Sequence, residues 1–297
     1  MVGFLCLDKR EGVTSFRAVA EVRKITGEKK AGHTGTLDPM ATGVLPVALG
    51  CAARFISLLP SDQKAYIARF RLGTVTDTLD ITGTVLETQS VDAGEGDVQA
   101  LLPGFRGKIV QVPPMYSALM HNGKRLYDLA RQGIEVERKE REVTIKKLEL
   151  TGAFENDEYE IAVDCSAGTY IRTLVADIGA ALGCGAVLTA LRRTQSNGFL
   201  IKKAFTVEEV REKAEKNALQ KLIIPVDKAL SAYPALWVTA PQSVRFQNGG
   251  ELDVTRVQGI KKDGFYRVYS PDGAFLGLGE WDTGKGEFLA PKKIFAV

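Results

Sequence analysis

The chain has 297 residues, 45% of them hydrophobic, which is long enough for one large domain, or a large one plus a small one, around a sizeable core. Its 39 basic and 36 acidic residues leave a formal charge of +3, so composition alone marks no nucleic-acid partner and only a local cluster of cations could do so. Two histidines and four cysteines without a C-x-x-C pair form no zinc constellation, and no G-x-G-x-x-G or Walker sequence occurs, which argues against the common metal and nucleotide sites.

The N-terminal MVGFLCLDKREG reaches charge after a short apolar run, without the basic-then-apolar pattern of a signal segment. The most apolar longer stretches, 44–60 and 173–191, are interrupted by Arg54 and Asp177, so neither reads as a membrane span. A cytoplasmic protein with reduced, buried thiols is expected.

Residues 3–8 (GFLCLD) read as a strand. Thr14 or Ser15 then caps a helix with Phe16, Val19, Val22 and Ile25 at helical spacing, and Gly27 stops it. GHTGTLDPMATGVLP (32–46) follows, a stiff loop in which Gly32, Gly35 and Gly43 permit unusual backbone angles. Pro39 pushes Asp38 toward extended geometry. On pattern alone Asp38 is a turn former bonding its own backbone, because Asp does this readily.

KAYIARFRLG (64–73) alternates Tyr66, Ala68, Phe70 and Leu72 against Ile67, Arg69 and Arg71, a strand with one basic face. Residues 74–111 are turn-rich, with two strand pieces and a flexible break at DAGEGD (92–97). Residues 111–143, prolines, aromatics and charges with a helical pattern near Leu126 to Arg131, read as an insertion over the surface of the kind that closes on ligands.

In 158–183 a strand alternating Tyr159, Ile161, Val163 and Cys165 turns at Gly168 into a helix with Ile171, Leu174, Val175, Ile178 and Leu182 on one face. Tyr170 and Arg172 lie off that stripe at the helix start. A cation in the first turn opposes the helix dipole, so Arg172 calls for a carboxylate partner. Residues 191–199 (LRRTQSNGF) add the basic pair Arg192 and Arg193, and Thr206 with Glu209 caps a helix predicted to reach about Leu222. Beyond residue 233 short strands alternate with NGG, KDG, PDG and TGKG at roughly ten-residue spacing, the pattern of a small β barrel or sandwich.

Three blocks, GHTGTLDPMATGVLPVALG, KAYIARFRLGTVTDTLDITG and CSAGTYIRTLVADIGAALGCGAVLTALRRT, resemble in order the signature blocks of the bacterial TruB-type tRNA pseudouridine-55 synthases. QVPPMYSAL and the closing β segment, which is similar to a PUA domain, match as well, so the resemblance covers nearly the whole chain. It implies an α+β pseudouridine synthase domain over 1–232 with a mixed, largely antiparallel central sheet, and a PUA-like RNA-binding domain over 233–297. It further implies isomerisation of a T-loop uridine of tRNA without cofactor, metal or guide RNA, by a monomer.

By the same resemblance Asp38 is the catalytic aspartate, nucleophile or base, and Arg172 pairs with it and keeps it ionised. Tyr66 stacks on the target base and helps remove the C5 proton, and Tyr170 and Leu191 pack the site. His33 fills the space vacated by the flipped base. Lys9, Lys64, Arg192, Arg193, Lys292 and Lys293, with Lys261, Lys262 and Arg267, are candidate RNA contacts, the closing domain on the acceptor side and 111–143 on the T-arm. The alternative is a tRNA folding helper in which Asp38 is dispensable. Three positions depart from the family pattern: Arg10 stands for a proline, and Met120 and Ala167 each stand for a lysine.

Overall fold

The computed structural model describes residues 1–296. Ten strands form one mixed sheet. Its path runs Ile223–Ile224, Gly3–Lys9, Thr42–Leu49, Ala186–Ser196, Lys64–Leu72, Glu158–Cys165, Arg141–Phe154 and Gly107–Gln111. Ala31–His33 and Phe199–Leu200 pair beside this path. All neighbours are antiparallel except the short step where Arg192 and Arg193 face Thr42 and Gly43. The mixed, largely antiparallel sheet is therefore as the resemblance implied.

The alternations read from sequence have a physical cause. Tyr66, Ala68, Phe70 and Leu72 on the central strand, and Tyr159, Ile161, Val163 and Cys165 on its neighbour, all face one core. The helix Ile171–Ala181 closes that core with Ile171, Leu174, Val175 and Ile178. A second core lies under the helix Ser15–Thr26, which Thr14 caps by accepting the Arg17 N–H at 3.1 Å. Gly27 ends that helix in the left-handed region at φ 69°.

Four expectations are corrected. In the first helix Val19, Val22 and Ile25 face the core as expected, joined by Ser15 and Ala18, but Phe16 is 79% exposed. DAGEGD is no flexible break: Asp97 accepts the Gly94 N–H at 2.8 Å and starts the helix Glu95–Leu101, which seats Val98 in the core. The helix capped by Thr206 and Glu209 ends at Glu215, because Asn217 turns left-handed (φ 52°) before a separate 3-10 turn, Leu219–Leu222. The closing segment is not all β, since Thr239 and Gln242 cap the helix Ala240–Gln247.

That segment builds its own five-stranded sheet, in the order Ala235–Trp237, Gly264–Tyr269, Phe275–Trp281, Phe288–Ile294 and Leu252–Asp253. Phe275 and Phe295 pack on Phe55 of the larger body at ring distances of 6.3 and 6.2 Å. Residues 111–143 hold a two-stranded hairpin and the helix Leu126–Ala130, anchored by buried Leu126 and Leu129. Among the described residues no helix is long and apolar enough to cross a membrane.

Candidate active site

The loop 34–41 is rigid because its carbonyls are held from below by two cations. Lys9, 1% exposed, donates from Nζ to the carbonyls of Val13 (2.7 Å), Arg10 (2.9 Å) and Pro39 (3.2 Å). Arg193, fully buried, donates to the carbonyls of Val44 (2.7 Å), Gly35 (3.1 Å) and Thr36 (3.2 Å). Ser15 Oγ accepts the Leu37 N–H at 2.8 Å and donates to the Leu37 carbonyl at 3.0 Å. Gly43 is required where the backbones meet. Its φ is 100°, and a Cβ there would lie 2.2 Å from the Arg193 carbonyl oxygen.

This frame delivers Asp38 to the wall of a cavity of about 340 Å³, within the range of small-ligand sites. Lys64, Tyr66, Tyr170, Arg172 and Leu191 share the lining. Arg172 Nε lies 3.0 Å from Asp38 Oδ2, with Arg172 4% exposed and Asp38 35% exposed. The rest of the guanidinium is fixed by the carbonyls of Thr78 (2.9 Å) and Tyr116 (2.8 Å), and Asp80 Oδ2 stands 3.6 Å away. Asp80 is itself clamped, accepting from Thr78 Oγ1 at 2.9 Å and from the Thr82 N–H at 3.0 Å.

Removal from water pushes the Asp38 carboxyl above its ordinary range, while the Arg172 charge pulls it back and Asp80 pushes it further up. Burial pushes the Tyr66 phenol up to about 12, against the pull of Arg193. The Lys64 ammonium is pushed down by burial and then by Arg193. An ion pair half-open to a cavity, ringed by two tyrosines and a leucine, offers a positioned carboxylate beside apolar and aromatic walls.

Residues 23–171 match the TruB family pseudouridylate synthase (N terminal domain), residues 172–231 the tRNA pseudouridylate synthase B C-terminal domain, and residues 234–295 the pseudouridine synthase II TruB, C-terminal. The chain belongs to the TruB family of pseudouridylate synthases. It is 44% identical to the tRNA pseudouridine synthase B of Pseudomonas fluorescens over 98% of this chain and 95% of that protein. The tRNA pseudouridine synthase B of Chromohalobacter salexigens is 48% identical over 93% of this chain and 89% of that one. A chain of a solved Cbf5-Nop10-Gar1 complex superposes with a TM-score of 0.75 at 28% identity, covering 99% of this chain and 85% of that chain.

Set against the TruB resemblance, the structure gathers Asp38, Tyr66, Tyr170, Arg172, Leu191 and Lys64 around one cavity and leaves the other candidates elsewhere. His33 sits half-buried on the strand Ala31–His33, outside the lining, with a buried Nδ1 that has no partner. Burial and Arg193 lower its pKa. Lys9 and Arg193 are corrected as RNA contacts, because both are buried and their donors are taken by the loop carbonyls. Arg267 is likewise corrected, since it donates to the Tyr233 carbonyl at 2.8 Å and to Tyr269 Oη at 3.2 Å.

Arg192 pairs with Asp8 at 2.7 Å, and Lys292 pairs with Glu280 at 3.1 Å over the Phe265 ring, while Lys293 is half-buried. Of the departures, Arg10 bridges Glu21 (3.2 Å) and Glu208 (3.1 Å), and Met120 and Ala167 are exposed. Asp80 was given no role from sequence. A Thr-x-Asp-x-Thr spacing around it, the pattern of a carboxylate tied by its own turn, was the available signal.

Proposed function

We propose that this TruB-family chain converts the uridine at position 55, in the T-loop of tRNA, to pseudouridine. The observation that carries the reading is the Asp38 carboxylate on the cavity wall, 3.0 Å from a buried Arg172, in a chain whose relatives are named tRNA pseudouridine synthase B. The relatives named tRNA pseudouridine synthase B, at 44% and 48% identity, support a tRNA substrate.

The base leaves its stack at a cost of about a few kcal/mol and enters the cavity. Tyr66 and Leu191 supply apolar walls for it, and His33 fills the space it vacates. Asp38 then acts beside the ribose, as nucleophile at C1′ or as a base, while the C1′–N1 bond breaks. The uracil turns, C1′ bonds to C5, C5 loses its hydrogen and N1 gains one. Atoms and electrons balance within substrate and solvent, so the reaction consumes no cofactor. Arg172 keeps Asp38 ionised against the burial that favours its protonated form. Tyr66, a phenol pushed up to about 12, suits stacking better than taking up the C5 proton.

The closing domain, from about residue 233, would lie on the acceptor side of the tRNA through cations such as Lys292 and Lys293, and residues 111–143 against the T-arm. A cytoplasmic monomer suffices for this scheme. The test is tritium release from a tRNA transcript carrying 5-tritiated uridine, with wild type and Asp38→Asn compared. About one equivalent per tRNA from wild type alone supports the isomerase. Bound tRNA with no release from wild type overturns it in favour of a tRNA folding helper.

A further inference from the structure

The loop that carries Tyr170 to the cavity is pinned from behind. Gln111 accepts the Tyr170 N–H at 3.0 Å and donates to its carbonyl at 3.2 Å, and Thr144 donates its N–H to Ser166 Oγ at 3.0 Å. Arg141, register partner of Gln111, lies alongside. Its guanidinium carbon stands 5.7 Å from the Tyr170 ring centroid. Gly168, at φ +85°, leaves room for it, since a Cβ there would come 3.3 Å from Arg141 Nη1.

This cation is unspent. Arg141 is half-buried, and its Nε is buried without a hydrogen-bond partner. Among the described residues no carboxylate pairs with it, and the adjacent Glu142 is taken by Lys108 at 2.9 Å. The nearby cavity carries the same sign. Lys64 and Arg125 line it, and its single acid, Asp38, is committed to Arg172. A guanidinium partly withdrawn from water gains most when an anion with two acceptor oxygens meets its fork, and the ring beside it fixes its plane.

We infer that Arg141 binds a backbone phosphate of the RNA strand entering the cavity, beside the nucleotide seated against Tyr170. The assignment rests on the functional reading above, which supplies the RNA. Ala167 is exposed one residue before Gly168, so a lysine placed there would add an ammonium to the same loop.

The test measures affinity and single-turnover rate for an unmodified tRNA transcript across a potassium chloride series, with wild type, Arg141→Gln, Arg141→Lys and the double variant Arg141→Gln with Ala167→Lys. One lost phosphate contact weakens binding about tenfold and reduces the slope of log affinity against log salt by about 0.7 to 0.9. Arg141→Lys keeps the slope, and the added lysine restores it. An unchanged slope in Arg141→Gln overturns the inference, as does a fall in rate at saturating tRNA with affinity intact, which would make Arg141 a prop for Tyr170. Absence of product from wild type overturns the functional reading instead, and the phosphate assignment with it.

Discussion

Arg172 Nε stands 3.0 Å from Asp38 Oδ2 in an ion pair, and two backbone carbonyls, of Thr78 and Tyr116, fix the guanidinium from the other side. Asp38 thus meets a cation that cannot turn away. Lysine at 172 would keep the charge and lose the fork that engages both carbonyls and the carboxylate. Arg172→Lys is expected to lower the single-turnover rate on the order of 10² to 10³, with a folded protein by circular dichroism. A rate within threefold of wild type would show that charge alone suffices.

The pH dependence follows from Asp38 and has opposite signs for activity and stability. Its carboxyl is raised by burial and by Asp80, and lowered by Arg172. Activity that needs the carboxylate is present above that raised pKa and lost as pH falls through it. The folded state holds this proton more tightly than the unfolded chain, so stability contributed by Asp38 is greatest at low pH and declines as pH rises from the ordinary carboxylate range through the raised value. The difference in Tm between wild type and Asp38→Asn is expected to shrink or turn negative along that rise. A difference that grows with pH would refute the raised pKa.

Asp80→Asn separates the two carboxylates. It removes the negative charge that pushes Asp38 up, so the acid limb of the rate profile should move to lower pH, while Arg172 keeps its carbonyl partners. A limb that moves to higher pH would mean that Asp80 acts chiefly by holding Arg172 in place. The profile of single-turnover rate against pH decides between them.

Much of this arrangement was legible in the sequence where one local rule governs. The strand at 64–72 follows from periodicity because it buries a single face, and the helix after Gly168 keeps its apolar stripe although its first turn, Ile171 to Val175, is buried all round. A cation opposing the helix dipole calls for a carboxylate at Arg172, but nothing local names Asp38, 134 residues away in sequence, and only the family resemblance pairs them. Burial of charge was not legible at all. Lys9 and Arg193 look like any surface cations in a linear reading, and only the return of the loop 34–41 over both strands encloses them. Phe16 departs for a smaller reason: one residue is 100° of helix, so with Ser15 buried beside it Phe16 turns to solvent, while Val19, Val22 and Ile25 keep the stripe.

Lys9 gives the sharpest separation between the two roles open to a cation in this fold. Its ammonium is pushed down to about 8 by burial, and it holds the carbonyls of Val13, Arg10 and Pro39 beneath the Asp38 loop. Lys9→Met removes those bonds while preserving bulk, which should destabilise the protein by about 1 to 3 kcal/mol and lower the rate by loosening Asp38. A buried strut touches no phosphate, so the salt dependence of tRNA binding should stay that of wild type, unlike Arg141→Gln. The lowered pKa adds a second signature. The unfolded chain binds the proton that the folded state releases between about pH 8 and the ordinary lysine value, so wild type should gain stability relative to Lys9→Met across that interval. Urea melts at pH 7.5 and 9.5 measure it, and a variant that instead loses salt slope with unchanged melts would return Lys9 to the RNA surface.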